Sequence, residues 1–380
     1  MAPNGRKRVL VICMMDSPHV ARWLMQFRDE ALDFVLIPSS PHRRVHKSIS
    51  ALLNGTHNAS FRTVRSLWFF GAPAWLADRL LDNRLRANLL RRYIEGFKPD
   101  FVHALELQNA GYLALRYLES RAQETLPFKF LITNYGSDIL WFAKFPNHRT
   151  KLERLLKLAH SYSCECKRDV RLARRLGFSG KVMPVHPNAG GYSQDDLAKA
   201  STLTAARGTI AVKGYQGWVG RAITAIDGIE LIADQLMNYQ IELYSCNRST
   251  IRRAKRLKTR TGLKVTWSPK GKLSHQQVIE LFSRSQIYVG ISESDGISTS
   301  LLEAMAFGAI PVQTSTACSD EWFTDTGVHV GTISPEAVAD AILTALQLAK
   351  DPSNAERNRQ TISEKASADI VKAAALKYYL

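Results

Sequence analysis

Several signatures that would assign a catalytic class directly are missing from this sequence. No Asp-X-Asp triplet occurs, so a metal-bridged diphosphate site of that type is not predicted. The five cysteines are scattered without a Cys-X-X-Cys pair, which argues against a disulfide framework and against a zinc knuckle. Neither a GxGxxG fingerprint nor a Walker loop is found.

Long hydrophobic runs are missing as well. No stretch approaches the roughly 18 consecutive apolar residues of a membrane span. The apolar run 9–15 follows Lys7 and Arg8, but it is better explained as a buried strand than as the core of a secretory signal. We therefore expect a cytoplasmic protein that is soluble or attached to the inner face of a membrane.

Positive charge is concentrated in the first half of the chain. Residues 1–200 carry 31 Lys and Arg against 17 Asp and Glu, a net charge of +14, whereas residues 201–380 carry 20 against 17, a net charge of +3. This asymmetry predicts an acidic partner for the first half, such as an anionic bilayer. Nucleic acid is not predicted as a partner, because no nucleic-acid-reading motif accompanies the charge. A solvated basic face without any partner remains the alternative.

Short apolar segments alternate with helical segments along the chain, which predicts an α/β fold with parallel sheets. A length of 380 residues favours two domains, and the Pro, Asn and Gly residues of 186–191 mark a break. We predict two tandem Rossmann-like doubly wound domains that face a central cleft, an N-terminal domain over 1–200 and a C-terminal domain over 201–360. A C-terminal helix over 361–380 is expected to pack back on the first domain.

Six strands are predicted in each half, with helices between them. Those of the first half are 8–14, 34–38, 101–104, 128–133, 161–164 and 181–185. Those of the second half are 209–214, 240–245, 263–268, 287–291, 310–313 and 328–330. Helical stretches are predicted between the strands, for example over 20–29, 74–97 and 110–122. Ligands of such folds bind at the carboxyl ends of the strands.

The most informative stretch is 291–312, which reads ISESDGISTSLLEAMAFGAIPV. A strand ends at Ile291, a polar loop follows, and a helix is predicted from about Thr299 to Gly308. This arrangement directs backbone amides and the positive end of a helix dipole at a bound anion. Alternatively, Ser300 and Glu303 have the spacing of a capping box, in which Glu303 only closes its own helix.

This stretch resembles the acidic motif of retaining GT-B glycosyltransferases, especially glycosyltransferase family 4. In that motif two acidic residues flank seven others, and the second begins Glu-Ala-Met-Ala before a glycine and a Pro-Val strand. Asp295 and Glu303 take these places, although the family usually has Glu where Asp295 stands. The resemblance implies that Glu303 holds the ribose hydroxyls of a nucleotide and that Asp295 lies against the donor sugar, both as catalytic-site residues. It also places donor groups against the backbone amides of Gly296, Ile297, Ser298 and Thr299.

A second patch, 209–221, reads TIAVKGYQGWVGR. Its glycines let a backbone approach a phosphate closely, and a helix begins at its end. In the resembled family an Arg and a Lys after this strand grip the diphosphate. Lys213 and Arg221 are the nearest cations and are assigned that role, although not in the family's usual order. Alternatively, Lys213 reaches solvent from the end of its strand.

The first half carries less specific resemblances. The segment 14–23 follows the first strand where such enzymes meet the acceptor, and His19 either contacts the acceptor or caps the next helix. Residues 98–103 resemble the family's KPDxVH strand, and 133–139 resemble its HGSD loop, with Tyr in the place of the His. Acceptor-side candidates are therefore His19, Asn134, Tyr135 and Asp138. Asp138 alternatively only shapes the loop.

These motifs together predict a glycosyltransferase that moves a sugar from a nucleotide-diphosphate donor to a saccharide or lipid-linked acceptor. The resemblance implies a retaining, hexosyl-type reaction in glycan or polysaccharide biosynthesis. We predict no cofactor and no metal, since cationic side chains and a helix dipole would stabilise the leaving diphosphate. A nucleotide-sugar epimerase and a non-catalytic nucleotide-sugar-binding protein on the same fold are the alternatives.

Arginines and aromatic residues are interleaved across 43–97, with Trp68, Phe69, Phe70 and Trp75 among them. Cations attract anionic headgroups, and aromatic rings partition into the membrane interface. Peripheral contact with an anionic membrane is therefore predicted. Alternatively, these rings fill the core of the first domain.

Overall fold

A computed structural model describes residues 5–41, 44–64, 72–121, 125–193 and 208–380. The chain divides into two compact units, the first formed by residues 1–190 with 371–380 and the second by residues 191–370. The predicted boundary at 200/201 lies outside the described residues and stays a prediction. The two units divide after Gly190, within the region of 190–208 where the sequence indicates a break, and the residues that return to the first unit begin at Val371.

The first unit contains a parallel sheet of seven strands in the order β3-β2-β1-β4-β5-β6-β7. The strands are β1 (Lys7–Cys13), β2 (Leu32–Pro38), β3 (Ser60–Thr63), β4 (Phe101–Leu105), β5 (Lys129–Thr133), β6 (Ser161–Ser163) and β7 (Lys181–Val182). The six predicted strands are confirmed, with small differences at their ends. The edge strand β3 was not predicted, because it is short and only Phe61 within it is fully buried.

The described helices of the first unit are α1 (Pro18–Met25), α2 (Lys47–Asn54), α3 (Ala72–Leu80), α4 (Arg84–Phe97), α5 (Tyr112–Glu119), α6 (Ser137–Leu140), α7 (Pro146–Leu158) and α8 (Lys167–Arg175). A π-helical turn, Leu107–Gly111, precedes α5. The helical stretch predicted over 74–97 is divided into two helices, because Asp82 and Asn83 adopt φ values of 46° and 62° and separate α3 from α4. Left-handed residues of this kind end a right-handed helix.

The two faces of the first sheet are covered by separate cores. Successive residues of a strand point to opposite faces. Leu10 and Ile12 of β1 therefore pack with residues of α4, α5 and α7, whereas Val9 and Val11 pack with α1, α2 and Tyr379 near the C terminus. Burial on both faces explains why β1 reads as a continuous apolar run.

The second unit contains a parallel sheet of six strands in the order β10-β9-β8-β11-β12-β13. The strands are β8 (Thr209–Lys213), β9 (Gln240–Cys246), β10 (Lys264–Pro269), β11 (Ser285–Gly290), β12 (Ile310–Thr314) and β13 (Val328–Val330), which confirms the six predicted strands. The helices that follow Lys213 are α9 (Ala222–Leu231), α10 (Arg248–Thr261), α11 (His275–Arg284), α12 (Thr299–Ala306), α13 (Pro335–Leu348), α14 (Pro352–Ala366) and α15 (Ala368–Leu376). Within the described parts of the chain, no helix has the length and apolar character needed to cross a membrane.

The strand order of each sheet reverses at one point, between β1 and β4 in the first sheet and between β8 and β11 in the second. At such a point the segments after the two strands run in opposite directions and leave a crevice where ligands bind. In the second unit these segments begin at Gly214 and Ile291. The reversal therefore places the two sequence patches predicted to bind the donor at the same edge of one sheet.

Candidate functional site

Backbone hydrogen bonds join the two predicted donor segments at the carboxyl edge of the second sheet. The amide of Arg221 donates to the carbonyl of Ile291 at 2.9 Å, and the amide of Glu293 donates to the carbonyl of Val219 at 2.8 Å. A side chain at Gly220 would collide with the backbone of the same loop. The loop after β8, residues 214–220, therefore needs a glycine to lie this close to the loop after β11.

Lys213 is the last residue of β8 and is directed at the acidic loop after β11. Its Nζ donates to Ser298 Oγ at 3.0 Å and lies 3.7 Å from Asp295 Oδ2. Burial alone would lower the pKa of Lys213, but its acidic neighbours Tyr288 and Asp295 outweigh that effect and raise the pKa. The Lys213 side chain keeps 30% of its surface exposed, but its charged ammonium is held beside Asp295 rather than simply extended into solvent.

The start of α12 adds backbone donors to the same place. Ser298 is the N-cap of α12, and its side chain accepts no capping hydrogen bond. The amides of Ser298 and Thr299 have no carbonyl of their own helix to bond, and the positive end of the helix dipole lies there. The amide of Gly296, by contrast, donates to Asp295 Oδ1 at 3.0 Å and is engaged within the loop. Ile297 is 4% exposed and packs in the core beneath.

Glu303 lies one turn further along α12 and is 4% exposed. Its Oε1 is 2.8 Å from Nε2 of His275, the first residue of α11. Because Ser298 rather than Ser300 is the N-cap, Glu303 occupies the fifth helical position instead of the third. The capping-box alternative is therefore wrong. The contact with His275 was not identified from the sequence. Apart from lying in the same half of the chain, this histidine has no sequence feature that links it to the acidic motif.

Arg221 connects the two loops that border the crevice. Its Nη1 donates to the carbonyls of Gly217 and Gly220 at 2.9 and 3.0 Å, and its Nε lies 3.2 Å from Glu293 Oε1. Arg221 is also the N-cap residue of α9. A single guanidinium thus holds the glycine loop against the acidic loop.

The acceptor-side candidates of the first unit have different surroundings. His19 is exposed, and its amide donates to Ser17 Oγ at 3.2 Å, so Ser17 rather than His19 caps α1. Asn134 is fully buried, and its Nδ2 donates to Asp169 Oδ2 at 2.7 Å. The hydroxyl of Tyr135 is buried and has no hydrogen-bond partner among the described residues.

Asp138 bonds the backbone of two neighbouring segments. Its Oδ2 accepts from the amide of Leu107 at 3.1 Å and from the amide of Tyr135 at 3.2 Å. Burial raises its pKa. These contacts support the alternative in which Asp138 shapes its loop.

Glu106 is a candidate functional residue that the sequence analysis missed. It directly follows β4 at the reversal point of the first sheet, is 4% exposed and has a φ of 100°. Its carboxylate accepts from the amides of Asn109 at 2.9 Å and Ala110 at 2.5 Å. Burial raises the pKa of Glu106, and the negative charge of Asp138 raises it further to a smaller extent. The sequence did contain a sign of this residue, because Glu106 is a carboxylate inside an apolar stretch immediately after a strand. Acids with shifted pKa values are concentrated at functional sites.

The aromatic residues of the basic segment are only partly described. Trp75 in α3 is 52% exposed, so the alternative in which it fills the core is wrong. Arg43, Trp68, Phe69 and Phe70 lie outside the described residues.

Comparisons with known proteins identify one domain in the second half of the chain. Residues 245–362 match the family model described as glycosyl transferases group 1. This segment contains the acidic loop, α12 with Glu303, and His275. No curated protein matches the chain.

Solved structures similar to this one cover nearly the whole chain. Sucrose-phosphate synthase from Thermosynechococcus elongatus is 14% identical with a TM-score of 0.70, covering 98% of this chain and 97% of that one. A UDP-forming α,α-trehalose-phosphate synthase from Burkholderia vietnamiensis is 13% identical with a TM-score of 0.70, covering 98% and 99%. The Alr3699/HepE protein of Anabaena, in complex with UDP-glucose, is 14% identical with a TM-score of 0.66, covering 98% of each chain.

At these identities the similar structures establish the fold. The predicted class, two tandem Rossmann-like doubly wound domains, is confirmed by the two parallel sheets and by these neighbours. The second unit thus contains the segment that matches the glycosyl transferases group 1 model, and the chain shares the fold of these similar structures.

Proposed function

We propose that this protein is a retaining glycosyltransferase of family 4 that transfers a hexose from a nucleotide-diphosphate donor to a saccharide or lipid-linked acceptor, in glycan or polysaccharide biosynthesis. The observation that carries the proposal is the grouping of Lys213, Asp295 and the start of α12, with Glu303 one turn along the same helix. The family-model match over 245–362 supports the donor class, as do the UDP-glucose named for one similar structure and the UDP-forming reaction named for another.

Each of these groups has a part in donor binding. The Glu303 carboxylate accepts hydrogen bonds from the two ribose hydroxyls, which suits a group with several lone pairs and no proton of its own to donate. His275 holds this carboxylate in place through the 2.8 Å contact. Lys213, Arg221 and the first amides of α12 neutralise the diphosphate, and Asp295 accepts from a hydroxyl of the donor sugar.

The reaction then needs no carboxylate nucleophile. The bond between the anomeric carbon and the phosphate oxygen breaks, and the acceptor oxygen attacks from the same face. The proton of the acceptor hydroxyl passes to the departing phosphate. Lys213 and the α12 dipole stabilise the negative charge that develops there, which is the part a divalent ion would otherwise take.

The experiment combines a donor screen with product analysis. UDP-, GDP- and dTDP-hexoses are compared by thermal unfolding, where a ligand at 100 times its Kd stabilises the protein by about 2.7 kcal/mol. With the stabilising donor and a panel of saccharide acceptors, we expect a new glycosidic product whose anomeric configuration, read from its proton coupling, matches the donor. Failure of every donor to bind, free epimerised nucleotide sugar, or an inverted product would contradict the proposal.

We further propose that the basic first half attaches the enzyme to the anionic face of a membrane, where a lipid-linked acceptor would lie. The net charge of +14 over residues 1–200 and the exposed ring of Trp75 support this proposal. Each basic residue near such a surface contributes on the order of 1 kcal/mol.

A further inference from the structure

A pocket of about 380 Å³ lies in the first unit, and none of the acceptor-side residues selected from the sequence lines it. It is bordered by the segment after β2, by α3 and α4, and by the π-helical turn after β4. Six of the side chains that line it carry the argument below: Ser39, Trp75, Asp78, Arg86, Asn109 and Tyr112. This volume is in the range of pockets that enclose small molecules.

The charges of the pocket are paired internally. Arg86 Nη1 lies 3.0 Å from Asp78 Oδ2, and the two side chains are only 7% and 10% exposed. The other lining residues that the structure describes are uncharged. An isolated phosphate or carboxylate would therefore find no unbalanced cation, and a neutral ligand fits the pocket better than an anionic one.

Some buried oxygen atoms of the residues that line this pocket have no hydrogen-bond partner in the described part of the chain. They are Oδ1 of Asp78 and Oγ of Ser39, a residue that is 1% exposed. Buried polar groups in folded proteins are nearly always hydrogen-bonded, to protein, water or ligand. Both atoms have almost no accessible surface in this structure, so each side chain must turn toward the pocket to meet a ligand. A carboxylate oxygen accepts and a hydroxyl both donates and accepts, so a ligand with several hydroxyl groups would then satisfy both atoms.

Aromatic and amide side chains complete the lining. Trp75 exposes 52% of its surface on α3 although it borders the pocket, and Tyr112 contributes a second ring. A ring face is apolar and suits the C–H face of a sugar ring, while the amide of Asn109 suits hydroxyls. The turn that presents Asn109 is fixed by Asp138, which accepts from the amide of Leu107.

We infer that this pocket binds one neutral hexose unit of the acceptor, with Asp78 and Ser39 bonded to its hydroxyls and Trp75 against its ring. The inference rests on the proposed function, because it names the acceptor class of the same enzyme. It disfavours phosphorylated sugars at this position, since Arg86, the one cation among the described lining residues, is already paired with Asp78.

The inference is tested on the full-length protein by saturation-transfer NMR. The probes are the methyl glycosides of glucose, galactose and mannose at 10 mM, with glucose 6-phosphate and glucuronate as charged comparisons. We expect transfer to at least one neutral glycoside, at least fivefold weaker in Trp75→Ala and weakened also in Ser39→Ala. The matched control is Leu80→Ala, which removes a 72%-exposed side chain from the same helix outside the pocket and should leave the signal unchanged.

Three results would overturn the inference: no transfer to any neutral glycoside in the wild type, equal transfer in Trp75→Ala, or stronger transfer to the charged sugars. Thermal unfolding of each variant shows whether it is folded, and Ser39→Ala provides the second comparison if Trp75→Ala is not. Nucleotide binding by the wild-type protein is measured separately. Its absence would contradict the proposed function, whereas a glycoside signal that does not depend on Trp75 would remove only the pocket.

Discussion

Replacing Glu303 by Gln is the sharpest test of the donor site. The substitution keeps the size of a side chain that is 4% exposed, and the amide oxygen still accepts from His275 Nε2. The substitution removes only the negative charge that the Glu303 carboxylate presents to the ribose hydroxyls. A hydrogen bond to a charged group contributes about 1.5–3 kcal/mol. At about 1.4 kcal/mol per decade, the Kd of the nucleotide should rise about 10- to 100-fold.

The assay is a double-mutant cycle by calorimetry in which the second change is made in the ligand. UDP is compared with its 2′-deoxy and 3′-deoxy analogues on wild type and on Glu303→Gln. If Glu303 bonds the ribose hydroxyls, the wild type discriminates strongly between UDP and at least one deoxy analogue, and the variant discriminates much less. Glu280→Gln is the matched control, since Glu280 is an exposed residue of α11.

Two outcomes would refute the reasoning about Glu303. Unchanged UDP affinity in the variant would mean that the carboxylate serves only the contact with His275. Equal losses for UDP and for both deoxy analogues would mean that the substitution disturbs the helix rather than a ribose contact.

Four further predictions concern the diphosphate, the metal, the pH and the membrane. Arg221→Ala should weaken UDP binding at least tenfold and leave uridine binding unchanged in calorimetry, because the cation acts on the diphosphate; equal losses would instead mean that Arg221 only clamps its loops. EDTA should leave turnover intact, and a loss restored by a divalent ion would contradict metal independence. Burial lowers the pKa of His186 to about 4. Below about pH 6.5 the unfolded chain therefore binds a proton that the folded chain does not. The free energy of unfolding then falls by up to about 1.4 kcal/mol per pH unit, down to about pH 4. His186→Phe should therefore flatten urea unfolding midpoints between pH 6.5 and 5, and an unchanged slope would contradict this assignment. Arg91→Ser with Arg92→Ser should reduce sedimentation with phosphatidylserine vesicles at low salt, and absence of wild-type binding there would end the membrane proposal.

The positions of most strands could be predicted from the sequence because burial on both faces leaves a local pattern. Apolar runs such as 9–12 in β1 and 287–289 in β11 are buried on both sides, and turn residues bound them. The acidic loop and α12 were also predictable, since Ser298 and Gly308 stand at the two ends of one continuous segment. Strand β3 was missed because a four-residue edge strand buries too little to leave such a pattern.

The contacts that define the candidate sites had to come from the tertiary structure. Glu303 and His275 are 28 residues apart, and Lys213 and Ser298 are 85 apart. Local propensity and periodicity describe neighbours within a turn or a strand, and they carry no information on which distant side chains will meet. The amino-acid sequence by itself determined two Rossmann-like units and the acidic motif of the second. Only the tertiary structure decided that Lys213 faces Asp295, that His275 contacts Glu303, and that Oδ1 of Asp78 and Oγ of Ser39 have no hydrogen-bond partner among the described residues. Each of these results depends on elements that are far apart in the chain and are brought together by packing.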